Sequence, residues 1–203
     1  MGDQTHLAGN IIEIYRKHGR AWTELRGQHL YEKSWLDQFL ALLPKSAAIL
    51  DLGCGSGKPI ADYMIQQGYA VTGVDSSDAM IQMAQQNFPA QAWLRADMRL
   101  VQLDQVFQGI LAWDSFFHLT PDDQRKMFAQ FAEFSAPNAI LMFTSGPAAG
   151  EAIGEMFGDA LYHASLSQDE YRALFAQYGF EAVNMVAEDA DCAGHTVWLA
   201  RRI

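Results

Sequence analysis

The sequence predicts an α/β fold: a seven-stranded, mostly parallel sheet with one antiparallel strand, helices on both faces and an N-terminal helical cap. Three observations predict it. From residue 47 onward, short apolar runs alternate with segments of helical periodicity, the pattern of parallel strands joined by crossover helices. The last two apolar runs are separated by only five residues, "ADCAG", which is hairpin spacing and turns one strand antiparallel. The first 43 residues read instead as two amphipathic helices ahead of the first strand. A chain of 203 residues makes one domain with a full core. We divide it into a cap (1–43), a central core (46–145), a Gly-rich stretch with the composition of a mobile lid (146–166), and a closing helix and hairpin (167–203).

The elements follow in order. "NIIEIYRKHG" (10–19) and "LYEKSWLDQFLALL" (30–43) are the cap helices; Leu36, Phe39, Leu40 and Leu43 share one face of the second. "AAILDLG" (47–53) is the first strand. "PIADYMIQQG" (59–68) is a helix with a first-turn proline and a glycine stop. "YAVTGVD" (69–75) is a buried strand, and Ser77 is placed to cap "DAMIQMAQQNF" (78–88). "AQAWLRAD" (90–97) and "VFQGILAWD" (106–114) are the third and fourth strands. Thr120 precedes "PDDQRKMFAQFAEF" with a cap, a proline and two first-turn acids, the strongest helix start in the chain. "AILMFTSG" (139–146) is a fifth strand, and "SQDEYRALFAQYGF" (167–180) is a helix ended by Gly179. "EAVNMVAED" (181–189) and "HTVWLARR" (195–202) form the final hairpin.

Composition narrows the function class. No apolar run reaches the roughly 18 residues of a membrane span. The start, "MGDQTHLAGN", lacks signal-peptide and myristoylation patterns. Two cysteines do not make a disulfide framework. These features predict a soluble, cytoplasmic protein with no membrane partner. The net charge is −10, with 8 Lys/Arg against 19 Asp/Glu over residues 51–203. Nucleic-acid binding needs a cationic footprint, so none is expected.

The chemistry centres on "ILDLGCGSGKPIADY" (49–63). Glycines at alternate positions let the backbone bend sharply and present N–H groups without Cβ obstruction. In doubly wound sheets this first strand-to-helix bend borders the ligand crevice. The third glycine comes one residue too early for a dinucleotide fingerprint, and Lys58 stands where that pattern needs glycine. The P-loop fails too, because Pro59 follows the lysine. Asp51, before the bend, suits a ligand carrying an ammonium or sulfonium group.

On these residues the sequence resembles the class I S-adenosylmethionine (SAM)-dependent methyltransferases, of the small-molecule, bacterial-like type. The resemblance covers residues 47–145 and the topology of the closing hairpin. It implies a Rossmann-like fold with SAM as cofactor. It further implies that Asp75, with Ser76 beside it, holds the ribose hydroxyls, that Asp97 accepts from the adenine amino group, and that Met98 lies at the ring edge. Asp51, Gly53, Cys54, Gly55 and Gly57 of the bend, Met80 on the helix after the second strand and Trp113 after the fourth strand complete the candidate cofactor set. "LAWDSFFHL" sits where the family passes its methyl to the substrate. The Asn/Asp-Pro-Pro-Tyr motif of DNA and protein amide methylators is absent, as is the acid–acid–amide set of metal-dependent catechol methylators.

The reading is methyl transfer from SAM to a small-molecule acceptor by in-line displacement. A SAM-binding sensor or scaffold without turnover is the alternative; an NAD-dependent oxidoreductase is disfavoured by Lys58 and Asp51. Asp114 and His118 are four apart. Wound as one helical turn they would share a face, Asp114 orienting the imidazole and His118 taking a proton as the catalytic base. Tyr15, Trp22, Arg26, Phe117, Tyr162, His163 and His195 are the candidate substrate contacts. Asp189, Asp191, Cys192 and His195 fall within seven residues but match no zinc spacing and lie in a hairpin loop, so no metal is expected.

Overall fold

The computed structural model describes residues 5–203. Five strands, β1 (Ala48–Leu52), β2 (Ala70–Asp75), β3 (Ala92–Arg95), β4 (Phe107–Ala112) and β5 (Ser135–Ser145), run parallel. Two more, β8 (Phe180–Asp189) and β9 (His195–Arg202), complete a sheet of order β3-β2-β1-β4-β5-β9-β8. The antiparallel strand is β9, which opposes both its neighbours. Strand order reverses at β1, between β2 and β4, so the crevice beyond the carboxyl ends of β1 and β4 is the natural ligand position.

Side chains alternate between two cores, as the period of a strand requires. Ile49 of β1, Ile140 and Met142 of β5, and Val197 and Leu199 of β9 face one layer. Leu50, Leu52, Leu141, Phe143, Trp198 and Ala200 face the other. Helices α3 (Ile60–Gln66), α4 (Asp78–Asn87), α5 (Pro121–Phe134) and α6 (Gln168–Gln177) cover the sheet. The Thr120 hydroxyl accepts the Asp123 N–H at 3.2 Å and caps α5; Ser167 caps α6 in the same way through Glu170. Among the described residues, no helix is long and apolar enough to cross a membrane.

The N-terminal helices divide their work. Helix α1 (Ile11–Arg26) lies over the ligand end of the sheet, whereas α2 (Lys33–Ala41) packs on the sheet face and is no cap. Its Trp35, Leu36 and Phe39 are fully buried, and Phe39 reaches a point on β4 where a Cβ on Gly109 would fall 2.8 Å from its ring. Four apolar residues on one helical face need an apolar plane, and the sheet supplies it. Ser77 precedes α4 but makes no side-chain cap; its hydroxyl donates to the Tyr15 carbonyl at 3.2 Å and ties α4 to α1.

Residues 146–166 are not irregular. They contain the hairpin β6 (Gly150–Met156) and β7 (Asp159–Ser165), joined by Phe157 and Gly158, both at positive φ. A two-residue loop with φ above zero at both positions matches strand twist. The hairpin packs Met156 and Leu161 against Ile14 of α1, and Asp159 accepts from Lys17 and His18. It backs α1 from outside and contributes no residue to the cavity wall described below.

Close packing makes one glycine in β2 indispensable. A Cβ on Gly73 would lie 2.3 Å from ring carbons of Trp93 and 2.7 Å from Cys54 Sγ. Gly73→Ala should therefore cost about 1–3 kcal/mol of stability through overpacking, seen as a lower urea midpoint with an unchanged slope.

Candidate active site

A cavity opens at the carboxyl ends of β1, β2 and β4. Its floor is the bend after β1, where Gly53, Gly55 and Gly57 all have positive φ. Gly53 passes so close to the loop after β4 that a Cβ would sit 2.2 Å from Ser115 Cβ. Ser115 also donates to the Leu52 carbonyl at 2.6 Å, locking the two strand ends together. A Cβ on Gly55 would meet only Met80 Sδ, at 3.8 Å, so the backbone there is open to the cavity. Gly57 is not on the wall; it supports the bend against Phe88 and Trp93. The Cys54 thiol is buried, and burial pushes its pKa well up, so it is an inert packing group.

Among the described residues four acids line the cavity, each differently held. Asp75 Oδ2 accepts the Gly55 N–H at 3.0 Å and Oδ1 accepts the Ser77 N–H at 2.8 Å; burial raises its pKa and these N–H bonds oppose the rise. No hydrogen bond from the described residues reaches the Asp51 carboxylate, and burial, with the nearby Asp75 charge, pushes it up to about 7. Asp97 is gripped by Arg99, which also pairs with Asp123 at 2.9 Å. Burial pushes Asp97 up, but Arg99 outweighs it and holds the carboxyl below its ordinary range.

The fourth acid departs from its expected partner. Asp114 has φ +48 and lies outside the short 3-10 turn Phe116–His118, so it does not share a helical face with His118. Its Oδ1 instead meets His195 Nε2 at 2.9 Å. The Nδ1 of His195 lies 2.7 Å from the Cys192 carbonyl. Both neighbours only accept, so both ring nitrogens carry protons and His195 is an imidazolium. Burial works against that charge, but Asp114 and Cys192 outweigh it and raise the pKa. The ring is stacked between Tyr31 and Trp113, at centroid distances of 5.4 and 5.5 Å. The loop from Asp189 to His195 is thus tied into the fold: Asp189 accepts the Trp35 indole N–H at 2.7 Å, and burial pushes the Cys192 thiol up to about 12.

His118 is on the wall but has no free nitrogen. Nδ1 lies 2.8 Å from the Tyr162 carbonyl and must carry the proton; Nε2 therefore accepts from the Tyr15 hydroxyl at 3.0 Å. Burial pushes its pKa down to about 4. Phe117 and His163 pack behind it, at 4.8 Å from its ring, and the Tyr162 hydroxyl donates to Glu151. Phe117, Tyr162, His163 and His195 do not reach the cavity wall, whereas Tyr15, Trp22 and Arg26 of α1 do, as do Ser76, Met80, Met98 and Trp113. The Trp113 indole N–H is buried with no hydrogen-bond partner among the described residues.

Sequence reasoning missed Arg99, Ser115, Tyr31 and Glu32. Arg99 had a local signal, its position two residues after Asp97; the others act across the fold. Glu32 is fully buried and accepts from Arg26 at 2.7 and 2.9 Å, and Arg26 in turn lies 4.2 Å over the Tyr31 ring.

With this geometry in view, comparison with known proteins decides the family. The family described as "Methyltransferase domain" matches residues 25–184, well over half of the chain. The chain belongs to the methyltransferase-domain family. Among curated relatives of this methyltransferase-domain chain, the YqeM protein of Bacillus subtilis is 31% identical over 163 residues, 77% of this chain and 63% of YqeM. A malonyl-[acyl-carrier protein] O-methyltransferase of Salmonella typhimurium is 29% identical over 130 residues, 63% of this chain and 51% of that protein. The chain thus matches only about half to two thirds of the length of these relatives. In fold it resembles the Burkholderia thailandensis 1,6-didemethyltoxoflavin-N1-methyltransferase, with TM-score 0.76 and 17% identity, covering 100% of this chain and 91% of that one. The Synechocystis magnesium protoporphyrin IX methyltransferase gives TM-score 0.74 and 17% identity, with 100% of both chains covered.

The two histidines make opposite predictions. Nitrogen-detected NMR at pH 6.5 should show His118 as the neutral Nδ1–H tautomer and His195 protonated on both nitrogens; an Nε2–H signal for His118 would overturn the assignment. Because the folded pKa of His195 is raised, its pairing stabilises fully below the unfolded value near 6.5 and is lost as pH rises through the folded value. Denaturation of His195→Gln beside wild type should therefore show a stability gap that narrows from pH 6 to pH 9.

Proposed function

We propose that the protein transfers a methyl group from SAM to a small-molecule acceptor. One observation carries this reading: a single cavity joins the glycine bend and its acids to α1 and the loop after β4, so a donor and an acceptor can share one enclosed space. The structural neighbours include the magnesium protoporphyrin IX methyltransferase with bound SAM. The residues here fit that cofactor. Gly55 leaves its backbone open, and Asp75 is oriented by two N–H groups and has lone pairs left for hydroxyls. Asp51 is a buried acid with no hydrogen-bond partner among the described residues, and a cationic group would supply one. The Trp113 indole N–H, without a partner among the described residues, leaves one donor unused beside this space. Asp97, already held by Arg99, meets an adenine amino group only through its remaining lone pairs.

When bound, SAM supplies an activated methyl on its sulfonium. The work of the chain is alignment and exclusion of water, and alignment alone can contribute several kcal/mol. Asp114 is the carboxylate that meets the acceptor, and His195 orients it. His118 is a positioning residue that holds the Tyr15 hydroxyl toward the cavity; with its pKa near 4 and both nitrogens engaged, it does not supply the base near neutral pH. The acidic balance and free cysteines support a small acceptor over a nucleic acid, and a cytoplasmic location.

Asp75→Ala should weaken SAM binding by about 1.5–3 kcal/mol in calorimetry without unfolding the protein. SAM affinity should also fall as pH drops below about 7, approaching tenfold per unit, because Asp51 must lose its proton to meet a cation. Asp51→Asn should flatten that slope. Incubation with methyl-labelled SAM and a metabolite extract should yield a labelled small product identified by mass. The yield should persist after exhaustive chelation, since no group of three or more His, Cys, Asp or Glu side chains among the described residues is placed to hold a metal. His118→Ala should lower kcat several-fold while leaving the pH profile between 6 and 8 unchanged. Absence of SAM binding would sink the reading as a whole.

A further inference from the structure

Resting on the methyl-transfer reading, we propose that the acceptor end of the cavity takes an organic amine and rejects carboxylates, with Asp114 and the aromatic wall beside it as the recognition element. The donor and acceptor atoms of the site carry the inference. Among the described residues three Lys or Arg side chains line the cavity, Arg26, Lys58 and Arg99. Arg26 is matched by the fully buried Glu32, and Arg99 by Asp97 and Asp123. Lys58 stands on the glycine bend, at the cofactor end of the space. His195 carries a charge, but both its N–H groups are spent on Asp114 and on the Cys192 carbonyl. An anionic acceptor beside α1 finds Arg26 and Arg99 already paired, and loses hydration there with no free guanidinium to offset it.

A cation meets the reverse. Asp114 accepts from His195 on one oxygen; among the described residues the other has only the Tyr31 hydroxyl, at 3.4 Å, and keeps lone pairs for a ligand N–H. The ring in contact with His195 on the cavity side is Trp113, and Tyr15 and Trp22 come from α1, so three aromatic rings line the same cavity as Asp114. Aromatic faces and a carboxylate around a mostly apolar space are the elements that recognise organic ammonium groups. The net charge of −10 adds a field that draws cations and repels anions.

Probe pairs of similar shape and opposite charge separate the outcomes: tryptamine against indole-3-acetate, and phenethylamine against phenylacetate. Each is titrated by calorimetry into protein saturated with S-adenosylhomocysteine, whose own binding is measured first. Failure of that first titration counts against the methyl-transfer reading. Given saturation, the amine of each pair should bind at least about tenfold more tightly than the acid, the scale of a hydrogen bond to a charged group. In Asp114→Asn, a substitution the left-handed backbone there accommodates, the amine-to-acid ratio should fall to near one. Acids binding as tightly as amines, no binding by either amine, or an undiminished ratio in Asp114→Asn would overturn the proposal.

Discussion

The site depends on one close approach. Where β1 ends, the backbone at Gly53 passes Ser115 at a distance no Cβ could share, and Ser115 closes the gap by donating to the Leu52 carbonyl. This contact fixes the end of β1 against the end of β4. It thereby sets the spacing between the acids of the bend and the residues after β4. Loosening it would separate Asp51 and Asp75 from Asp114, and the cavity would no longer be one space. The backbone N–H groups of Gly53 and Cys54 accept the same discipline from the other side, both donating to the Val74 carbonyl at the end of β2.

Around that junction the fold treats four similar side chains in four ways. Asp75 is satisfied by backbone N–H groups, Asp97 by an arginine, Asp114 by an imidazolium, and Asp51 by nothing among the described residues. Chemical identity does not distinguish these acids; their neighbours do. The same holds for the histidines. His118 faces a carbonyl and a hydroxyl deep in the structure and is neutral, while His195 faces a carboxylate and a carbonyl and is charged. Helix α1 completes the arrangement, held down by Ser77, by His118 and by the hairpin β6–β7.

Much of this was legible in the chain. The seven strands of the main sheet, the capped helix α5 and the bend that forms the cavity floor all follow from periodicity and turn chemistry, because those signals act over a few neighbouring residues. The hairpin at 150–165 leaves little trace in the sequence, because most of β6 is exposed and mixes small and charged residues without clear alternation. For helix α2, amphipathicity tells that a face is buried without telling against what, so the sequence alone does not separate a cap helix from one packed on the sheet. Ser77 had the residue type of a cap, and a competing carbonyl from α1 took its hydroxyl.

By itself, then, the sequence determined the sheet, the order in which helices interrupt it and the placing of glycines and acids at its ligand edge, since strand period, capping and backbone freedom are local properties. Only the tertiary structure decided the partners. Asp114 lies four residues from His118 yet pairs with His195, 81 residues away, because the antiparallel β9 returns beside β5 and brings the start of β9 next to the loop after β4. Charge state follows partner and burial, and both are set by the path of distant segments rather than by spacing along the chain.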